Sequence, residues 1–112
     1  MINLYIAPEA QKDLFEIKEY ISLESEDKEA AIKVIVQITK RIHELLDFPT
    51  IGASLETIID IQTDYRFLVC NKYTIFYRYL DGNVYVDRVL NNRRNFMKVL
   101  FQDDLEIKDI EE

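Results

Sequence analysis

The chain has 112 residues, room for one domain, and its 48% hydrophobic and 31% charged residues describe a globular protein with a polar surface. No apolar run approaches the ~18 residues of a membrane span, and MINLYIAPEA has no basic segment or cleavage site of a secretory signal, so a cytoplasmic protein is expected. A lone cysteine, Cys70, excludes an internal disulfide, and the formal net charge of −7 works against tight binding to a phosphate backbone.

In chain order, Ile2 to Ile6 is short and rich in β-formers, and Pro8 stops it at a position suited to the first residue of a helix. Ala10, Leu14, Ile17 and Ile21 then recur at helical spacing, with Lys12, Asp13, Glu16 and Glu19 assigned to the opposite side. SLESEDKE breaks this helix, and Asp27 is placed to cap the next. Ala31, Val34, Ile35, Ile38, Ile42 and Leu45 trace a second apolar stripe that ends before Pro49. Two such helices joined by a short connection predict an antiparallel hairpin. Residues 50–63 show no clear period.

After Asp64 the pattern changes to strands: YRFLVCNK, KYTIFYRYL and NVYVDRVL, separated by turns at Asn71-Lys72 and Asp81-Gly82. The expected fold class is α+β in the order β-α-α-β-β-β-(α), an antiparallel sheet with the helical hairpin packed on one face. A two-residue turn at Asp81-Gly82 predicts the pairs Leu80–Asn83, Arg78–Tyr85, Phe76–Asp87 and Thr74–Val89. Alternation then sends Val84, Val86, Arg88 and Leu90 toward the helices, which Arg88 tolerates only at a sheet edge or against a helix carboxylate. Asn91-Asn92 is placed to cap a last short helix carrying Phe96, Val99 and Leu100. Residues 1–101 form the expected domain. Residues 102–112 are an acidic tail, expected either to extend that helix or to be disordered, with residues 103–112 folding back on the basic sheet or meeting a partner's basic segment.

The charge is unevenly spread. Residues 1–60 hold 12 acids and 6 bases, residues 61–100 hold 3 and 7, and residues 101–112 hold 6 and 1. Five of the six arginines, Arg66, Arg78, Arg88, Arg93 and Arg94, lie in the middle segment, a local basic surface on an acidic chain. Arg93 and Arg94, at a strand-to-helix junction with few acids nearby in sequence, are the leading candidates for gripping a partner. Arg78 with Asp87 reads first as a structural ion pair. His43 lacks a partner at catalytic spacing, and Cys70 reads as a small core residue. No metal-ligand cluster, P-loop, G-x-G-x-x-G or serine nucleophile elbow occurs, so no cofactor or metal is expected. Any catalysis would rest on Arg, Lys or Tyr, which suits phosphodiester cleavage by charge stabilisation.

Three stretches carry a family likeness: APEAQKDLFEIKEYI (Ala7 to Ile21), FPTIG (Phe48 to Gly52), and YRFLVCNKYTIFYRYLDGNVYVDRVLNNRRNF (Tyr65 to Phe96). Together they resemble the RelE/ParE superfamily of type II toxin–antitoxin toxins, often labelled plasmid stabilisation proteins, over about residues 1–101. The resemblance implies a bacterial growth inhibitor held by a cognate antitoxin in a hetero-oligomer. RelE-like members cut mRNA on the ribosome, and ParE-like members bind and inhibit DNA gyrase. For a nuclease the resemblance points to Arg93 or Arg94 as the arginine that stabilises the cleavage charge, and the local basic segment adds Arg66 as a further catalytic candidate. The candidates for partner binding are Arg78, Arg93, Arg94 and Phe96. The chain has Thr74 where RNA-cutting relatives tend to place arginine, Asn91 for histidine, Asn95 for aspartate and Phe96 for tyrosine, and no tyrosine after Tyr85. These departures favour the ParE-like, non-nuclease reading, with the ribosome-dependent endoribonuclease and a non-toxic binding protein of the same fold as alternatives.

Overall fold

The computed structural model describes residues 1–101; the expectations for residues 102–112 fall outside the described residues. Strand β1 (Asn3–Ile6) leads into helix α1 (Pro8–Ser25), followed by α2 (Lys28–Glu44), β2 (Ala53–Ser54), a 3₁₀ turn (Leu55–Thr57), β3 (Arg66–Cys70), β4 (Tyr73–Leu80), β5 (Asn83–Asn91) and α3 (Phe96–Leu100). Spatially the sheet runs β1-β5-β4-β3-β2. The β3-β4-β5 meander is antiparallel as its turns require. The Asp81-Gly82 turn has both residues at positive φ, 52° and 76°, which matches the twist of the flanking strands.

Two features of the sheet were not legible in the pattern. β1 pairs in parallel with β5, Asn3 opposite Asn83 through Ile6 opposite Val86, so the sheet is mixed rather than wholly antiparallel. The α1–α2 hairpin supplies the crossover that a parallel pair needs. In the segment without a period, Ala53 and Ser54 add a two-residue strand against Phe67 and Arg66.

Pro8 opens α1 as expected, and the Ala7 N–H donates to Val86 O at 2.9 Å, tying the helix start to the sheet. α1 runs a turn further than Ile21, through Ser25, where the Ser25 hydroxyl donates to Ile21 O and Glu26 turns the chain at φ 56°. Asp27 caps α2 by accepting from the Glu29 and Ala30 N–H groups. The hairpin packs on one face of the sheet around Ile17, Ile38, Ile42, Leu45, Ile75, Tyr77, Val84, Val86 and Val89. The opposite face is not left open. Leu55, Phe76 and Leu90 form a second cluster there, covered by α3 through Phe96, Val99 and Leu100.

Val89 and Leu90 thus exchange the faces that simple alternation predicts, because β5 carries a bulge. Tyr77 still pairs with Val86, but Phe76 pairs with Arg88, Ile75 with Val89 and Thr74 with Leu90, so Asp87 is the extra residue. The predicted pairs Phe76–Asp87 and Thr74–Val89 are accordingly one residue out, whereas Leu80–Asn83 and Arg78–Tyr85 hold. The bulge lies just where β1 stops covering β5. Beyond Val86 no strand among the described residues covers this edge, and the Asp13 carboxylate takes a strand's place by accepting the Val89 N–H at 2.9 Å. Asp13 is therefore buried, 4% exposed, and not on the solvent side of α1. Arg88 resolves its predicted discomfort in both ways allowed: it sits at the edge and pairs with a helix carboxylate.

Candidate functional site

The arginine pair lies in the loop between β5 and α3, and both side chains are exposed. The asparagines around it hold the loop. Asn91 accepts the Arg93 N–H on its side chain and the Arg94 N–H on its carbonyl, both at 2.9 Å. The Asn92 N–H donates to Lys72 O at 2.8 Å, its side chain accepts the Thr74 hydroxyl at 2.6 Å, and its amide donates to Asn71 O. Asn71, at φ 57°, donates in turn to Gln37 on α2 at 2.6 Å. The cap of α3 is Asn95, which accepts the Lys98 N–H, rather than Asn91 or Asn92. A loop with this many fixed backbone groups presents its two guanidinium groups from a rigid base.

Each arginine borders a groove. Arg94 lines a cavity of about 280 Å³ with Glu16, Ile17, Tyr20 and Tyr73, and Arg93 lines one of about 720 Å³ with Tyr20, Ile21, Val34 and Lys72. Tyr20 is 60% exposed and is common to both. Burial pushes the Tyr73 phenol above its ordinary range, so it stays neutral at physiological pH. A third groove beside Arg94 is lined by three carboxylates, Glu9, Asp13 and Glu16, and three cations, Lys12, Arg88 and Arg94, with Arg88 paired to Asp13 and Lys12 to Glu16. This mixed lining suits a protein partner with a mixed surface.

The other sequence-derived candidates are elsewhere and already engaged. Arg66 pairs with Tyr77 across the sheet, four β4 residues from Tyr73 and hence about 13 Å from the arginine pair's end. Its guanidinium donates to Gly52 O at 2.7 Å, holding the loop after α2. Arg78 donates through Nε to Asp87 at 2.7 Å and lies over the Tyr85 and Tyr65 rings at 5.4 and 6.0 Å. The bond to Asp87 raises its pKa further, so it is a fixed cation in a structural ion pair. Phe96 stacks on Phe76 with centroids 5.3 Å apart and belongs to the second core. His43 is exposed and Cys70 buried. Among the described residues no group of three His, Cys, Asp or Glu could hold a metal ion.

Tyr20 and Lys72 were missed in the sequence. Their signal was positional: the Tyr73–Asn91 pair brings the β3–β4 turn beside the arginine loop, but only once the bulge is counted.

Residues 4–96 match the sequence family described as the ParE toxin of the type II toxin–antitoxin system parDE. The chain belongs to the ParE toxin family. The expected RelE/ParE likeness is therefore resolved toward its ParE side. Among solved structures, the chain is similar to a chain of the chromosomal ParDE TA system from P. aeruginosa, with a TM-score of 0.69 at 18% identity. That likeness covers 81% of this chain and 96% of the other, and at such low identity it speaks for the α+β fold. No curated protein matches the chain significantly. No helix among the described residues is long and apolar enough to cross a membrane.

Proposed function

We propose that this ParE-family chain is the toxin of a type II toxin–antitoxin pair, held inactive in the cytoplasm by a cognate antitoxin, and that it acts by binding and inhibiting DNA gyrase. Residues 1–101 are the toxin domain in this reading. The observation that carries it is the family match over residues 4–96, joined to an exposed Arg93–Arg94 pair that has no histidine beside it and a buried, neutral tyrosine behind it. Such a site can grip a partner, and the absence of an adjoining histidine supports binding over bond cleavage. An inhibitor that binds needs only a rigid loop and a hot-spot arginine, which this loop supplies.

The test is direct. Purified full-length chain should inhibit gyrase supercoiling in vitro, and induced cells should stop DNA synthesis before protein synthesis. Intact supercoiling with cleaved translated mRNA would instead select the ribosome-dependent endoribonuclease. Unimpaired growth on induction would select a non-toxic binding protein. The separation of Arg66 from the arginine pair weighs against the nuclease reading, because its three candidate arginines do not converge.

A further inference from the structure

β1 is an end strand of the sheet, and among the described residues it pairs only with β5. The Ala7 N–H donates to Val86 O, which in a parallel ladder makes Asn3, Tyr5 and Ala7 the residues bonded to β5. The backbone groups of Ile2, Leu4 and Ile6 therefore point outward. Gln11 Nε2 donates to Ile6 O at 2.9 Å. The N–H groups of Leu4 and Ile6 and the C=O groups of Ile2 and Leu4 have no partner among the described residues. A sheet edge is ordinarily guarded by a lysine, a proline or a bulge within the strand. Met1 to Ala7 has none of these and no charged side chain, the first being Glu9.

The side chains along this edge are only partly covered. Ile2, Leu4 and Ile6 pack against the first core yet stay half-buried. On the other face Tyr5 is 51% exposed, one side of its ring stacked on Tyr85 at 5.3 Å, and Asn3 donates to Asn83. An occupant must be an extended, uncharged strand, apolar on the hairpin's face and polar or aromatic on the other. Residues 2–6 meet that description themselves. We propose that this edge pairs with β1 of a second copy of the chain, antiparallel about a two-fold axis at Leu4. Leu4 then meets Leu4 as a hydrogen-bonded pair, Ile2 meets Ile6, and Asn3 meets Tyr5 and covers its bare ring side. Each Leu4 N–H donates to the other copy's Leu4 C=O and each Ile6 N–H to Ile2 C=O, which uses the free groups and leaves Gln11 undisturbed. An interface between identical copies must be self-complementary about its axis, and this alternation is.

The chain carries a net charge of −7, so a seam free of charge is where two copies can approach without a repelling pair. Residues 2–6 on each side fall well short of the roughly 20–30 residues a side of a standard interface, so separate chains should pair weakly, at about 0.1 mM. Two copies held within one toxin–antitoxin assembly would meet at an effective concentration of about millimolar, where such a seam is populated. Arg93 and Arg94 lie past the far end of β5, about 23 Å from Val84 at the rise of a strand. The seam therefore leaves both arginine loops free and points them in opposite directions. The assignment does not rest on gyrase as the target.

Disulfide trapping on the full chain tests both the pairing and its register. Directly opposed residues of a non-hydrogen-bonded pair lie about 4.5 Å apart at Cα, within disulfide reach, whereas diagonal neighbours lie about 7–8 Å apart and outside it. An equal mixture of the Asn3→Cys and Tyr5→Cys chains at about 0.2 mM, oxidised with diamide, which takes up the two thiol hydrogens, should give a linked dimer. Either variant alone should give several-fold less, and the parent, whose one thiol is the buried Cys70, sets the background. Asn3 and Tyr5 are both exposed, so unchanged thermal midpoints show intact folds. In the parent the Leu4 amide should exchange several-fold more slowly at about 1 mM than at about 10 μM, while the Tyr5 amide, already bonded to β5, changes little. The Asn3→Lys, Tyr5→Lys variant sets lysines opposite each other across the seam and should abolish that dependence. Equal linking in the mixture and the single variants, Leu4 exchange independent of concentration, or a dependence that survives the lysines would overturn the proposal. A Leu4 amide protected only when the cognate antitoxin is added would also overturn it, and would give the edge to a strand of that partner.

Discussion

Asp13 and Arg88, 75 residues apart in the chain, meet in a bidentate ion pair with both limbs at 2.8 Å. The same carboxylate accepts the Val89 N–H, so one side chain of α1 satisfies a guanidinium and the bare edge of β5. Removing it strands both. Asp13→Ala should destabilise the protein by about 3 kcal/mol, the lower end for breaking a buried pair because Arg88 keeps some access to water. Asp13→Asn, which retains an acceptor for Val89, should lose about half as much. Urea midpoints compare the two, and an Asp13→Ala midpoint equal to the parent's would discard this account of the edge.

This pair also marks where the sequence was readable. The helices, the meander and the Asp81-Gly82 turn followed from periodicity and turn chemistry, because those signals are local. The bulge at Asp87 was not local. It depends on where β1 ends against β5, a contact between residues about 80 apart in the chain, and no spacing within VYVDRVL reports it. A one-residue slip then moved Val89 and Leu90 to opposite faces and hid Leu90's role beneath α3. Arg93 and Arg94 were visible as charges, whereas Tyr20 and Lys72 joined them only through that same register.

Gly52 is fixed by proximity. A Cβ there would lie 2.7 Å from both the Phe67 carbonyl oxygen and the Tyr77 hydroxyl, and the backbone carbonyl cannot step aside cheaply. Gly52→Ala should therefore cost about 1–3 kcal/mol and loosen the loop after α2. Faster amide exchange at residues 50–54, with little change in α1, is the expected signature. A variant as stable as the parent would show that the close approach is not needed.

Tyr77 gives the protein an alkaline limit. It is fully buried, donates to Pro49 O and accepts the Gly52 N–H, and burial holds its phenol above the ordinary value of 10.0. Burial raises Tyr65 and Tyr73 in the same direction. Between the unfolded and folded values the native state binds the extra protons, so stability is fully present below about pH 10 and declines as pH rises above it. Denaturant titrations from pH 8 to 11 should show that decline. Tyr77→Phe should flatten part of it while lowering stability at neutral pH by about 1–3 kcal/mol, since the Gly52 N–H loses its partner. A pH-independent midpoint through pH 11 would contradict the buried, neutral phenols.

The arginines separate binding from folding. Arg93 and Arg94 are exposed and bond to no carboxylate among the described residues, so the Arg93→Ala, Arg94→Ala variant should unfold within about 0.5 kcal/mol of the parent. If the loop grips gyrase, each arginine at a desolvated contact is worth about 1–2 kcal/mol, and the double variant should bind roughly 30–1000-fold more weakly. Arg66→Ala should do the reverse, because its guanidinium holds Gly52 O and lies away from the loop. Stability should fall while inhibition per folded molecule is kept. Under the nuclease alternative both variants would lose activity per folded molecule. The ratio of inhibition to folded fraction for these two variants therefore decides between a binding surface at one end of the sheet and a catalytic site spanning it.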